Sequence, residues 1–224
     1  MDYIVLRVKV DEALISEIEV ILARPSGMSG PPGGQTMPSA GEILNEKKPR
    51  PQFLQTVPKK ERMSRENLIE VANAYFTGLA DQTGNFTAPF ADTCDRWENG
   101  MQTTNQPSSP IPGASSEGSD ILAMNCEEQQ KSGWFAFVTE IRDRRFPVVD
   151  IERGLVLSFG FFDHDGAVRT YTLPDGTPSP NPISVPTTIE IAELFQIREG
   201  KIDQIEAVIN SVPYGMKSEV WDQN

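Results

Sequence analysis

The sequence predicts an α+β fold in which a curved antiparallel sheet wraps around helices, with a β-hairpin at the N-terminus. Three observations carry this. Apolar residues alternate over residues 3–22, residues 64–79 hold one amphipathic helical stretch, and strand-length runs follow one another after residue 134.

In the first element, Ile4, Leu6, Val8 and Val10 alternate with Arg7 and Lys9. Asp11-Glu-Ala13 reads as the turn, and Ile15, Ile18 and Val20 mark the returning strand. Residues 1–24 therefore form an N-terminal hairpin. Residues 25–63 are rich in Pro, Gly, Ser and Lys and read as a mobile or extended linker, because they offer little apolar surface to offset their ordering entropy. The main domain spans 64–215 and a tail 216–224.

Ser64 is an N-cap for a helix whose Leu68, Val71, Ala72, Tyr75, Phe76 and Leu79 share a face. A short aromatic segment leads to a first strand over about Cys94–Thr103. After a Pro/Ser/Gly loop at 105–118, Ile121–Lys131 reads as a second helix, closed near Gly133. Four strands follow, at Trp134–Phe146, Gly154–Asp163, Thr187–Arg198 and Lys201–Val212, with turns at His164-Asp-Gly166 and Glu199-Gly200. Leu173–Pro186, with its prolines, is a loop.

Ile15–Leu22 and Ile202–Ile209 mirror each other, and Glu19 falls where Glu206 does. Hairpins share such patterns by chance. The other reading is that residues 1–24 are the last hairpin of an upstream copy of the domain. In either case Glu19 and Glu206 are expected to be structural.

The chain has 224 residues, 38% apolar and 23% charged, with a net charge of −12. That balance argues against a nucleic-acid or anionic-membrane surface, since the only dense basic cluster is Arg142, Arg144 and Arg145. No apolar run nears the roughly 18 residues that would cross a bilayer. Cys94 and Cys126 are either one disulfide or two buried thiols, and two cysteines with a single histidine give no zinc-ligand spacing. No metal or cofactor is expected, and the compartment is left open.

The order helix, aromatic segment, strand, helix and four long strands resembles the nuclear transport factor two-like superfamily over roughly residues 64–213. That superfamily is the cone-shaped α+β fold shared with SnoaL-like polyketide cyclases and ketosteroid isomerase. Cys94–Gly100, Arg142–Asp150 and Ser211–Gly215 resemble runs in a branch found in fungi and bacteria. The resemblance to ketosteroid isomerase puts Tyr75 where that enzyme has an oxyanion-hole tyrosine, within Ala74–Asp81. It puts the general base at the end of the first strand. The isomerase's aspartate aligns nearer Asn99, whose amide takes no proton at neutral pH, so Glu98 is the candidate base.

Period two sets Arg96 and Glu98 on one face of their strand and Asp95 and Trp97 on the other. Asp143 and Arg145 share a face with Ile141, whereas Arg142 and Arg144 lie opposite. His164 sits in a turn composition but is the one side chain suited to shuttle protons near neutrality. Glu190 and Glu193 face opposite ways, so one of them points inward. Tyr214 closes the cone mouth or forms an interface.

The expected function is a small-molecule-binding cone. It would act as a cofactor-independent isomerase, dehydratase or lyase, by acid–base chemistry on a partly apolar organic substrate. Glu98 would be the base, with Tyr75 and Arg96 (or Arg145) stabilising the developing oxyanion. Trp97, Asn99, Asp143, Arg145, His164, Glu193 and Tyr214 would contact the substrate. A homodimer is the expected assembly. The alternative is a non-catalytic binding or dimerisation module.

Overall fold

The computed structural model describes residues 3–23, 50–81, 85–106, 119–172, 176, 178–181, 183 and 185–218. Most of the expected linker and tail, and much of the 105–118 and 173–186 loops, lie outside the described residues.

Strands β1 (Tyr3–Asp11) and β2 (Leu14–Ala23) form the hairpin. Its two-residue turn holds Glu12 and Ala13 at φ 49° and 65°. Positive φ at both positions matches the right-handed twist of the strands. Part of the expected linker is ordered. Arg50 leads into a one-turn helix α1 (Pro51–Leu54), a 3-10 turn covers Lys59–Glu61, and Phe53 and Val57 are buried. These two apolar side chains give residues 50–63 the contacts that overall composition conceals.

Helix α2 (Arg65–Ala80) begins as expected, with the Ser64 hydroxyl accepting from the Asn67 N–H at 3.2 Å, which satisfies one of the helix's free donors. Strand β3 (Phe90–Glu98) starts and ends earlier than the expected Cys94–Thr103, and turns at Asn99-Gly100 into β4 (Met101–Gln102). The expected second helix is two short ones, α3 (Ser119–Ala123) and α4 (Cys126–Lys131). Asn125 separates them by capping α4, where it forms a reciprocal pair of bonds with Glu128. Trp134–Phe137 is a 3-10 turn, so strand β5 begins only at Glu140 and runs to Asp150. Then come β6 (Leu155–His164), the small β7 (Thr170–Thr172) and β8 (Pro178–Pro180), and the two long strands β9 (Thr187–Arg198) and β10 (Lys201–Val212). Helix, strand, helices and long strands thus follow in the order that the superfamily resemblance implies.

The main sheet runs β4-β3-β10-β9-β6-β5, antiparallel except where β3 pairs parallel to β10. Its inner face packs on α2, with Leu68, Ala72, Tyr75, Phe76 and Leu79 meeting Val156, Phe162, Phe195 and Ile205. Its outer face carries the hairpin, where Ile21 and Ala23 pack on Phe159, Ala192 and Val208. Charged anchors frame that contact. The Tyr3 hydroxyl donates to Glu206 at 2.5 Å, Arg50 pairs with Glu206 at 3.2 Å, and Arg145 pairs with Glu19. Glu19 and Glu206 both pin the hairpin to the sheet's outer face, the structural role their matching positions suggest.

Cys94 on β3 and Cys126 at the start of α4 form a disulfide across 32 residues of chain, with Cα atoms 5.8 Å apart. Closing a loop of that length stabilises a fold by about 3–4 kcal/mol on the chain-entropy account. The Cys94→Ala, Cys126→Ala double variant is therefore expected to melt well below the oxidised wild type, with reductant lowering the wild type toward it. A wild type whose melting ignores reductant would show that the bridge does not contribute.

Candidate functional site

Four polar side chains converge on the inner face of the sheet. Alternation along β3 turns Cys94, Arg96 and Glu98 inward. Cys94 and Arg96 are buried, while the Glu98 side chain is 28% exposed. Asn99 and Gly100, at φ 48° and 82°, stop the strand directly after Glu98, as a tight hairpin turn requires. The Asn99 amide then locks that turn onto β10, donating to the Ile209 carbonyl at 3.1 Å and accepting from the Ile209 N–H at 3.0 Å.

The register across the sheet sets the next carboxyl. Glu98 lies opposite Ala207 on β10, and Ala207 lies opposite Glu193 on β9. Two carboxyls therefore flank a fully buried alanine, whose small side chain leaves the space between them to other groups. Tyr75 enters from α2 and stacks edge-on against Phe195 and Phe90, at 5.3 Å and 6.3 Å between ring centres, a favoured aromatic geometry.

Arg96 ties the cluster together. Its Nε lies 3.1 Å from Glu98 Oε1 and donates to the Thr103 hydroxyl at 3.1 Å, and its Nη2 donates to Gln129 Oε1 at 2.7 Å. The guanidinium sits 4.8 Å above the Phe135 ring, close enough for cation–π attraction. Burial alone would make Arg96 easier to deprotonate, but Glu98, Tyr75 and Glu193 outweigh it and hold the charge more firmly. The Tyr75 hydroxyl is in hydrogen-bonding reach of both Arg96 and Glu193. Its own ionisation is pushed far up, first by burial and then by Glu193.

Glu193 is the outlier. It is 1% exposed, and its Oε2 has no hydrogen-bond partner among the described residues. Burial pushes its carboxyl up to about 8, with Arg96 opposing the shift and Glu98 adding to it, since a low dielectric penalises the charged form. At neutral pH it therefore carries its proton. The result is a polarised chain from the Glu98 carboxylate through the Arg96 guanidinium and the Tyr75 hydroxyl to a neutral Glu193.

The other candidate residues lie elsewhere. Trp97 faces outward, with the Arg50 guanidinium 3.4 Å over its ring. Asn99 is committed to the β3–β4 turn. Bulges on either side of Arg145, with Asp143 at φ 53°, break the alternation of β5, because each bulge re-aims the side chains that follow it. Asp143 is left exposed beside Arg142 at 2.9 Å, and Arg145 points to the hairpin's Glu19. Tyr214 is 51% exposed.

His164 is buried, not in a surface turn, because it is the last residue of β6. It pairs with Thr187, at the far end of β9 from Glu193. The six residue steps from Thr187 to Glu193 span about 20 Å at the usual strand rise. Its ring stacks on Phe137 at 5.3 Å, and neither nitrogen reaches hydrogen-bond geometry, although the backbone of Thr187 and Phe162 is close. Burial lowers its pKa to about 4, against the pull of nearby backbone and of Asp163. Thr103, Thr104, Gln129 and Phe135 were not singled out from the sequence. The only signal for Thr103 and Thr104 was the Asn99-Gly100 hairpin, which turns them back onto Arg96.

A family model described as "Domain of unknown function (DUF8021)" matches residues 61–209. The chain belongs to that family. Curated protein sequences give no match. Among solved structures, it is similar to AusH from Aspergillus nidulans, at 13% identity and a TM-score of 0.37 over 66% of this chain and 86% of that one. An NTF2-like protein from Anabaena variabilis is similar at 15% identity, TM-score 0.35, over 67% and 94%. An NTF2-like protein of unknown function from Cytophaga hutchinsonii is similar at 10% identity, TM-score 0.27, over 64% and 96%.

Glu193 and His164 both shape stability against pH around neutrality. Glu193 keeps its proton up to about 8 in the fold but releases it near 4.5 when unfolded, so its contribution falls as pH rises between those values. His164 is protonated first in the unfolded chain, so its contribution grows as pH rises from about 4 to 6.5. The two oppose each other from about 4.5 to 6.5, and above that only the decline from Glu193 remains. Tm is expected to fall between pH 6.5 and 8, and Glu193→Gln to remove most of that fall. Parallel Tm–pH curves for wild type and variant would refute the assignment.

Proposed function

We propose that the inner face of the sheet binds a small, partly apolar organic molecule and exchanges a proton with it through Glu193. The observation that carries this is the buried, neutral carboxyl with one oxygen unpartnered. A polar group left unsatisfied in an apolar interior costs about 1–3 kcal/mol, a cost that a partner group on a bound molecule would relieve. Phe90 and Phe195 wall the Tyr75 ring and Phe135 covers Arg96, while Arg96 supplies positive potential and Tyr75 a hydroxyl donor.

On this reading the roles differ from a simple base at Glu98. Glu98 balances the Arg96 charge, so that the guanidinium can polarise the Tyr75 hydroxyl. Glu193, with a pKa of about 8, is suited to give up a proton near neutrality and take one back. A substrate oxygen gaining negative charge would be stabilised by Tyr75 and Arg96. Isomerisation, dehydration and carbon–carbon cleavage beside a carbonyl all require such a step. The sharper assignment of Glu98 as base stays a variant of the same proposal.

A second reading also has support. Arg96 is largely satisfied within the protein by Thr103, Gln129, Glu98 and the Phe135 ring, as a purely structural or ligand-holding cluster would require.

The two readings separate in one series. Small carbonyl-bearing phenolic, steroid-like and polyketide-like compounds are screened by thermal shift, and each hit is followed by NMR for proton exchange or conversion. For a catalytic site, the rate is expected to bend near pH 8, and Glu193→Gln to abolish the bend and lower the rate by about 10²-fold or more. Tyr75→Phe should lower the rate with less effect on binding. A confirmed ligand that is bound but neither exchanged nor converted favours the second reading. One that binds both variants as it binds wild type places the ligand elsewhere.

A further inference from the structure

We propose that the outward face of the β1–β2 hairpin is a self-association surface on which a second copy of this chain packs face to face. The hairpin register pairs Ile4 with Leu22, Leu6 with Val20, Val8 with Ile18 and Val10 with Ile15. Cross-strand partners share a face, so these side chains form one apolar sheet surface, opposite the face that carries Arg7, Glu17 and Glu19. Ile4, Leu6, Val8, Val10, Ile15, Ile18 and Val20 are each between 41% and 63% exposed. No ionisable group interrupts them.

The inner face holds the hairpin to the main sheet by apolar packing at its base and by the Glu19–Arg145 pair. Tyr3, Val5, Ile21 and Ala23 contact the outer face of the main sheet, whereas residues 8–16 are exposed throughout. A two-stranded ribbon is marginal by itself in water, and one with an uncovered apolar face more so.

Size and charge both favour a second copy as the occupant. Covering the seven side chains would remove on the order of 700 Å² from water on each copy and about 1,400 Å² in the pair, within the range of stable interfaces. The chain carries −12, so two copies repel wherever charged surfaces meet, and this uncharged face is where they approach at least cost. A basic partner would find no carboxylate on it to pair with. A two-fold axis lets the patch meet itself, closing the assembly as a four-stranded sandwich with sheets about 10 Å apart.

Sedimentation equilibrium of the full chain over a wide concentration range tests this. Leu6→Glu and Val20→Glu replace residues already exposed in the monomer, and circular dichroism and Tm confirm that each variant folds. Wild type is expected to dimerise. Each variant should weaken the dimer by about tenfold or more, because it buries a carboxylate against its own copy. Ile151→Glu, at an apolar residue 47% exposed in the β5–β6 turn, should leave the dimer constant unchanged. A monomeric wild type overturns the proposal. So does a dimer indifferent to both hairpin variants, one weakened equally by Ile151→Glu, or open-ended assembly beyond a dimer.

Discussion

A buried guanidinium has to be surrounded, and the surroundings of Arg96 organise this end of the molecule. Leaving its charge unpaired in the interior would cost several kcal/mol. Its partners come from three separate pieces of chain. Glu98 lies two residues on, Thr103 returns from the Asn99-Gly100 turn beside Thr104, whose hydroxyl accepts from the Arg96 backbone N–H, and Gln129 is delivered by α4. Each arrives by a device that leaves little freedom. The turn is locked to β10 by the Asn99 amide, and α4 is held by its Asn125 capping box and tethered to β3 by the Cys94–Cys126 disulfide. The fold's most irregular region, with short helices and tight turns, is thus the part that the cation specifies most closely.

Charge balance then decides the state of Glu193. One guanidinium and two carboxyls share the interior, and Glu98 is the one that pairs directly with the guanidinium and also reaches toward solvent. A second negative charge deeper in the same space would have only Tyr75 and a shared cation to answer it. Glu193 therefore keeps its proton, and burial drives the shift more than any single neighbour does. The same logic explains why Tyr75 stays neutral. Its hydroxyl lies between a cation and a carboxylic acid, able to accept from one and donate to the other. Such an arrangement holds two protonation states close in energy without moving the backbone.

Much of this was legible in the sequence, for identifiable reasons. The bounds of β9 and β10 were read correctly, because the two strands meet at an unambiguous Glu199-Gly200 turn, although a bulge between Ile202 and Gln204 breaks the alternation of β10. Ser64 and the apolar spacing after it gave α2. Arg96 and Glu98 were placed on a common face by alternation alone, and β3 has no bulge between them to spoil the inference. In β5 the reading of which side chains share a face failed. There the positive φ at Asp143 and the bulges around Arg145 re-aim the arginines, and residue types do not announce a non-glycine bulge. The Asn99-Gly100 turn could have been read, since that dipeptide between strand-forming residues is a strong hairpin signal. Phe53 and Val57 were hidden by the Pro- and Lys-rich composition around them. The inward choice of Glu193 over Glu190 needed the register across three strands, which no single strand contains. Trp97 and Tyr214 are chemically plausible ligand contacts whose orientation only the packing reveals.

The hairpin is built inside out for a surface element. Its charged face turns toward the main sheet and its apolar face toward solvent. The outer face of the sheet accounts for half of this, because Arg145 and Glu206 project there and must find partners. Glu19 and Tyr3 supply them, with Arg7 bracing Glu19 at 3.5 Å. Turning the ribbon over would bury Leu6 and Val20 against Phe159, but it would strand Arg145 without its carboxylate and send Glu19 into water. The polar anchors thus outrank apolar burial in setting which way the ribbon faces. Since a one-residue slip would exchange the two faces, the two-residue turn at Glu12-Ala13 fixes the same choice from the other end. The apolar face is therefore exposed as a consequence of how the sheet's own charges are satisfied. Among the described residues, burying it against the main sheet would give up those pairs.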